Sequence, residues 1–380
     1  MTVLSPRTQR LLEAPVLPLL LSLAAPNVGE AVARITFLAA DAIFVSWLGS
    51  DALAAAAVVL PLFLILQTAT ASGIGSGVSS SIGRALGAGD RALASSLAGV
   101  AAIIAVVGAA ITSGALLLFG PGLYAAMGLA AAPLELAIVY GAVLFGGSGF
   151  VWLMNVLANV SRGAGNMVVP ATAIVIGEVF HLALSPALIL GWGPFPELGI
   201  AGAALAALAA YAVGAAILVG HLASSAALVR LERIYLRLKR DEVVAILQVG
   251  AVAAGSAVLL QLTIFFMAGL IAGLGSATVA AYGAALRLEL LQFPVTFAFG
   301  SAVITMVATA AGARDYDRAR RAAWTGAAVT GAIGLGGGWL ALRLGGGALA
   351  VFVVIAVVSV LFGAGLVVFM RVAFARLARG

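Results

Sequence analysis

Apolar runs of roughly 20–30 residues recur along the whole chain, each long enough to cross a hydrocarbon core about 30 Å thick as an α-helix. Short polar breaks separate them. The pattern predicts ten spans, at 15–47, 51–83, 92–119, 133–160, 167–191, 198–228, 243–273, 277–310, 320–342 and 347–373. The longer runs need tilt or protrusion beyond the lipid. The residue-by-residue alternation of a transmembrane barrel is absent. The expected fold is an all-α polytopic membrane protein.

Composition narrows the chemistry. Of 380 residues, 63% are hydrophobic and 9% charged, against about 25% charged in soluble domains. The mean hydropathy is +1.19. The chain has no cysteine, which excludes disulfides, iron–sulfur clusters and thiol catalysis. With only His181 and His221, a zinc site would rely on carboxylates, and none shows ligand spacing, so no metal or other cofactor is expected. A net charge of +6 would suggest nucleic acid only in a soluble protein. Here the basic residues lie in loops, the bilayer is the expected partner, and nucleic acid is not.

Their placement is one-sided. Arg7, Arg10, Arg84, Arg91, Arg162, Arg230, Arg233, Arg237, Lys239, Arg240, Arg314, Arg318, Arg320, Arg321, Arg371, Arg376 and Arg379 fall on one side of the ten spans, 17 of the 20 Lys and Arg. Arg343 falls opposite, and Arg34 and Arg287 lie inside spans. The rich side is expected to be cytoplasmic, with both termini inside a plasma (inner) membrane. Arg7 and Arg10 precede an apolar segment too long for a cleavable signal peptide.

The chain also repeats itself. Leu48-Gly49-Ser50, a long span and Gly87-Ala88-Gly89-Asp90 reappear as Leu274-Gly275-Ser276, a long span and Gly312-Ala313-Arg314-Asp315. The offsets are 226 and 225 residues, and Ala94 and Ala319 continue the match. Six spans separate the copies, and an even number preserves orientation. Parallel copies related by an axis along the membrane normal are therefore predicted. Copy one forms an N-terminal six-helix bundle at 1–229. A solvated amphipathic linker at 230–242 could touch anionic lipid. Residues 243–380 form a shortened four-helix bundle, because two full copies would exceed the 380 residues present. Copy two is expected to lack its fourth and fifth spans, and a homodimer could cover the surface this bares.

These stretches resemble the multidrug and toxic compound extrusion (MATE) family. They are Pro26-Asn27 in span one, Ala40-Asp41, Val45-Ser46 and Leu48-Gly49 at its end, and Gly73, Gly75 and Gly77 in span two. Ile82, Arg84 and Gly87-Ala88-Gly89-Asp90 follow, then Arg162-Gly163 with Gly165-Asn166, Ser185-Pro186 and Gly312-Ala313. The resemblance implies two bundles facing each other in a V. It also implies export of organic cations or similar amphiphiles by alternating access, driven by entry of H+ or Na+. There are two departures. The family normally has twelve spans, and its prokaryotic branch carries an aspartate where Ser185 stands here.

Charges inside spans mark the candidate chemistry, because an ionised group in hydrocarbon must face a cavity or a partner, or be protonated. Four carboxylates qualify: Glu30, Asp41, Glu178 and Glu289. At 100° per residue, Asn27, Glu30, Arg34 and Asp41 share a stripe about 60° wide on span one. Glu30 and Arg34, at i,i+4, can neutralise each other, as a coupling element or as a plain buried salt bridge. Asp41 has no cation within a helical turn and is a candidate coupling carboxylate, unless it simply reaches outer water. Glu178, His181 and Ser185 share a face of span five. Glu178 and His181, at i,i+3, can form a proton relay or a polar patch between helices. Glu178 would take over the charge missing at Ser185. His181 and Glu178 are expected level with Glu30, and Ser185 level with Asp41. Asn155, Tyr140 and Gln67 are candidate cavity polars or helix–helix glue. Arg287 and Glu289 in span eight point in different directions at i,i+2 and read as structural or cavity residues. Gly73, Gly75 and Gly77 lack the lysine and strand of a phosphate loop and read as close helix packing.

The leading expectation is thus a secondary transporter exporting a small amphiphilic or cationic substrate in exchange for a cation. Asp41, Asn27 and Asn155 would be a possible Na+ set, but Arg34 on the same stripe favours H+. The alternatives are a lipid-linked precursor flippase of the same superfamily and a degenerate, non-transporting membrane protein. The flippase would need more cations than Arg34 and Arg287 supply. No nucleophile or metal constellation points to an enzyme.

Overall fold

A computed structural model of the chain describes residues 4–232, 238–272 and 296–345. Helix α1 (Pro6–Glu13) opens with Ser5, whose Oγ accepts from the Thr8 amide at 3.1 Å, and with a proline in its first turn, where the missing N–H costs nothing. Helix α2 (Val16–Ser46) is the first long helix. Helix α3 (Ser50–Thr68), a π-helical segment (Ala69–Ile74) and α4 (Gly75–Gly87) form one continuous span of 38 residues. Then come α5 (Arg91–Ala126) and the pair α6 (Ala131–Gly146) and α7 (Ser148–Gly163), bent by 43° at the break. Helices α8 (Val168–Leu190) and α9 (Gly199–Ala223) complete the first half. Helices α10 (Arg240–Ala272), α11 (Thr296–Gly312) and α12 (Tyr316–Gly345) belong to the second.

Five helices among the described residues are long and apolar enough to cross a membrane, six if the bent pair counts as one span. These six are the first six predicted spans. Val106, Ile111, Leu118 and Phe119 of α5 are exposed, an apolar face suited to acyl chains. The start of the eighth predicted span and the whole tenth lie outside the described residues, and with them the expectation that copy two lacks two spans.

The two copies of the repeat meet face to face. A Cβ on Gly87 would run into the carbonyl oxygen of Thr309, and a Cβ on Gly312 into the carbonyl oxygen of Arg84. Adding 225 to Arg84 and Gly87 gives Thr309 and Gly312, so the repeat exchanges one contact for the other. That is the signature of a pseudo-two-fold axis between parallel copies. The loops after the two helices match as well. Asp90 Oδ1 accepts from the Leu93 amide at 2.8 Å, and Asp315 Oδ1 from the Arg318 amide at 2.9 Å. Each aspartate's own amide reaches back to a carbonyl, Ala85 or Ala310, at 2.9 Å. One difference breaks the match: Gly89 has φ +80, and at the equivalent position Arg314 is held at φ +60. A left-handed L-residue costs about 1–2 kcal/mol. Arg314→Gly is therefore expected to stabilise the protein by roughly 1 kcal/mol, read as a higher unfolding midpoint in detergent, with Gly89→Arg lowering it.

Further contacts tie the halves at this end. Helix α10 lies along α4 and the π segment, and Ser81 Oγ donates to the Ala245 carbonyl at 3.2 Å. Arg318 of α12 caps α1, donating to the carbonyls of Leu11 at 2.9 Å and Ala14 at 2.6 Å. Leu11, Leu19, Leu20 and Leu23 pack with Met167, Phe299, Ala302 and Met306 in a small core across the seam, separate from the large core, which fills the first bundle and takes in Ile246 of α10. The flanks of the linker are anchored to α5. The Arg230 amide donates to Ser95 Oγ at 3.3 Å, and Ser96 Oγ donates to the buried Glu242, which also takes Lys239 at 2.9 Å. Residues 233–237 between them lie outside the described residues.

Candidate functional site

Packing of α2 against α8 turns two separate polar stripes into one chain of ion pairs inside the first bundle. It begins at the end of α7. Arg162 Nη2 donates to Glu30 Oε2 at 2.7 Å. The other oxygen of Glu30 accepts from Arg34 Nε at 3.1 Å. Arg34 Nη1 stands 3.8 Å from Glu178 Oε1 and 3.5 Å from the Gln67 side-chain oxygen of α3. Glu178 Oε2 is 3.8 Å from His181 Nδ1, and His181 Nε2 is 3.3 Å from Asp41 Oδ1. The last approach is close but out of line for a hydrogen bond, which leaves a buried acceptor and a buried ring nitrogen facing each other. Tyrosines stand beside both parts of the chain. Tyr140 of α6 is within electrostatic reach of Asp41, and Tyr211 of α9 lies among Arg34, Gln67 and Glu178.

Charge counting says what this chain can do. Three carboxylates and two guanidiniums leave one net negative charge when His181 is neutral, and none when it is protonated. The side chains are largely buried: Arg162 is 2% exposed, Glu30 6% and Asp41 12%. Buried charge is tolerated only when balanced by partners. The arrangement therefore has a place for one added positive charge, at the end formed by Glu178, His181 and Asp41.

The bent fourth span and the π segment hold the surroundings. Asn155 of α7 donates to Thr70 Oγ1 at 2.8 Å, and Asn159 Nδ2 donates to the Ala71 carbonyl at 3.1 Å. Both bonds land in the π segment, whose irregular ladder frees backbone groups one turn beyond Gln67. Asn27 donates to Ser301 Oγ of α11 at 2.8 Å.

The sequence-predicted residues divide accordingly. Glu30, Arg34, Gln67, Glu178, His181 and Asp41 are brought together, with Tyr140 beside them. Asn155 and Asn27 face other partners. Asn27 and Asp41 are separated by 14 residues of one helix, about 21 Å at 1.5 Å per residue, so Asp41, Asn27 and Asn155 cannot ligate one Na+. Ser185 is fully buried, its Oγ without a hydrogen-bond partner. His181 stands level with Asp41 and Glu178 with Arg34, a register different from the expected one because α8 packs further along α2. Arg287 and Glu289 lie outside the described residues. Arg162, expected in a cytoplasmic loop, is instead a helical residue among the most buried of the chain. It and Tyr211 were missed as site residues. Asn155, Asn159 and Arg162 at i, i+4 and i+7 formed a polar stripe that could have found Arg162, and Tyr211 is the one aromatic residue within α9.

Comparison with known proteins gives the family. The MatE family model matches residues 26–187 and 253–352. The FAD transporter of Shewanella oneidensis is 30% identical over 317 residues, covering 82% of this chain and 69% of that protein. The probable multidrug resistance protein YoeA of Bacillus subtilis is 28% identical over 328 residues, covering 83% of this chain and 67% of its own. Among solved structures, a MOP superfamily transporter from Pyrococcus furiosus superposes with a TM-score of 0.83 at 24% identity, covering 92% of this chain and 76% of that one. That likeness speaks for the fold alone.

Proposed function

The chain belongs to the MatE family of membrane transporters, and from that premise we propose that it is a proton-coupled exporter of organic cations or cationic amphiphiles. One observation carries the reading: the buried chain from Arg162 to Asp41 holds three carboxylates against two guanidiniums, so one negative charge is uncompensated while His181 is neutral. A proton at the His181 and Asp41 end neutralises it, and so does a substrate cation held beside Asp41 and Glu178. Two ligands that satisfy the same charge compete, and competition for one site by proton and substrate is the logic of an exchanger. Alternating access between the two like-oriented halves then carries one ligand in each direction.

Three features support H+ over Na+. The oxygens proposed for Na+ do not meet. Arg34 sits in the middle of the chain. His181 faces a carboxylate with each ring nitrogen, so a proton taken up there finds a partner on either side. The two guanidiniums of the buried ion-pair network, Arg34 and Arg162, are both taken by carboxylates, which argues against a pyrophosphate-bearing lipid as cargo. The Shewanella relative's cargo is a flavin dinucleotide by its name, and so flavin is the competing substrate class to test.

The test is counterflow in proteoliposomes under an imposed pH or Na+ gradient, with a fluorescent cationic dye in one arm and FAD in the other. Dye movement driven by the pH gradient alone is the expected result. Movement of FAD without dye would replace the substrate class, and dye movement indifferent to pH but driven by Na+ would replace the coupling ion.

A further inference from the structure

We propose that Arg162 is the positioning residue that transmits the protonation state of the site to the seam between the two halves. The proposal rests on the proton-coupled reading above. Arg162 stands in both places at once. Its side chain is the terminal cation of the charge chain, bonded to Glu30 at 2.7 Å. The same guanidinium lies over the ring of Phe297 in α11, 5.7 Å from its centroid, and its carbonyl accepts from Thr305 Oγ1 of α11 at 2.9 Å. Nε of Arg162 has no hydrogen-bond partner, so Glu30 holds the guanidinium by one of its nitrogens alone.

The transmission follows from sharing. Glu30 is shared between Arg162 and Arg34, Arg34 between Glu30 and Glu178, and Glu178 between Arg34 and His181. The other groups facing the chain are Tyr211 and Gln67 at Arg34 and Tyr140 at Asp41. With His181 neutral, Arg34 is the cation nearest Glu178 and is drawn toward it, so Glu30 leans on Arg162. When a proton arrives at His181, Glu178 gains a second cation, Arg34 turns to Glu30, and Arg162 loses part of its partner. The guanidinium then slackens against α11, where Phe297 and Thr305 meet it. No bond is made or broken beyond the transferred proton.

The absence of cysteine gives a clean reporter. Ser81 is buried on α4 against α10, so a Ser81→Cys chain carries one thiol in the seam. Its reaction with a membrane-impermeant maleimide, divided by that of a free thiol at the same pH to remove the change in thiolate fraction, is expected to speed up roughly tenfold from pH 8 to pH 6, a typical coupling energy. In Arg162→Lys, which keeps the charge but loses the planar guanidinium that lies over Phe297, the rise is expected to shrink to under about twofold. Glu30→Gln should give the same flat profile, and it decides the matter if the lysine variant does not fold. A general loosening would raise labelling at every pH and leave the response intact. A wild-type response in either variant therefore overturns the proposal. Dye counterflow on the same liposomes separates the two levels. If dye follows the pH gradient while Arg162→Lys keeps the full labelling response, the exporter reading stands and the role of Arg162 falls. If dye ignores the gradient but the response still needs Arg162, the role stands and the exporter reading falls.

Discussion

Replacing Asp41 by Asn is expected to cut dye movement driven by a pH gradient by roughly 10–100-fold, within the span of ordinary coupling energies. The side chain keeps its shape, so α2 and α8 pack as before. What changes is the charge count. Without the Asp41 carboxylate the chain holds two carboxylates and two guanidiniums and is neutral with His181 unprotonated, so nothing is gained by taking up a proton. His181 Nε2, 3.3 Å from Asp41 Oδ1, then faces an amide that does not favour the imidazolium. The variant should bind dye more weakly for the same reason and lose the pH dependence of what binding remains. His181→Gln should also flatten the pH profile, but it leaves the uncompensated negative charge and should retain dye binding. The two variants together separate charge from titration. Wild-type gradient response in Asp41→Asn would remove the site from the mechanism.

Much of this site was legible because hydrocarbon penalises charge. Glu30, Arg34 and Asp41 on one stripe, and Glu178 with His181 on another, had to find partners somewhere. That the partners are each other was not legible. Helical period fixes which residues share a face, but not how far one helix slides along its neighbour. That slide joined His181 to Asp41 instead of placing it level with Glu30. Arg162 was misplaced for a related reason. It stands next to Gly163 in a motif that reads as a loop, and its charge fitted the one-sided pattern of the loops. Local signals said loop, while the tertiary structure extends α7 through Gly163 and buries the guanidinium on Glu30.

The fold was easier to read, since apolar runs and repeat offsets survive without tertiary detail. The first six spans appear where the hydrophobic pattern put them. The repeat could be seen in Gly87-Ala88-Gly89-Asp90 and Gly312-Ala313-Arg314-Asp315. That these loops and their helices pack on each other could not, because a glycine's lack of a side chain does not say whose backbone takes the space.

That packing predicts the second large effect. Gly87→Ala and Gly312→Ala each place a methyl where the partner's carbonyl oxygen stands, Thr309 in one case and Arg84 in the other. A backbone oxygen cannot rotate away like a side chain, so the helices must separate, at a cost of about 1–3 kcal/mol typical of overpacking. Only the arrangement in which the halves are closed at this end bears the cost. An arrangement open at this end is spared it, so the equilibrium moves toward opening. Labelling of the Ser81→Cys thiol at pH 8 should rise roughly tenfold or more over the same thiol without the seam substitution. Because the repeat exchanges the two contacts, the two variants should match each other closely. Gly29→Ala on α2, where a Cβ meets nothing within 4 Å, is the control and should leave labelling unchanged. If both seam variants lower the unfolding midpoint without changing labelling, the crossing is static packing, and α4 and α11 do not part during the transport cycle.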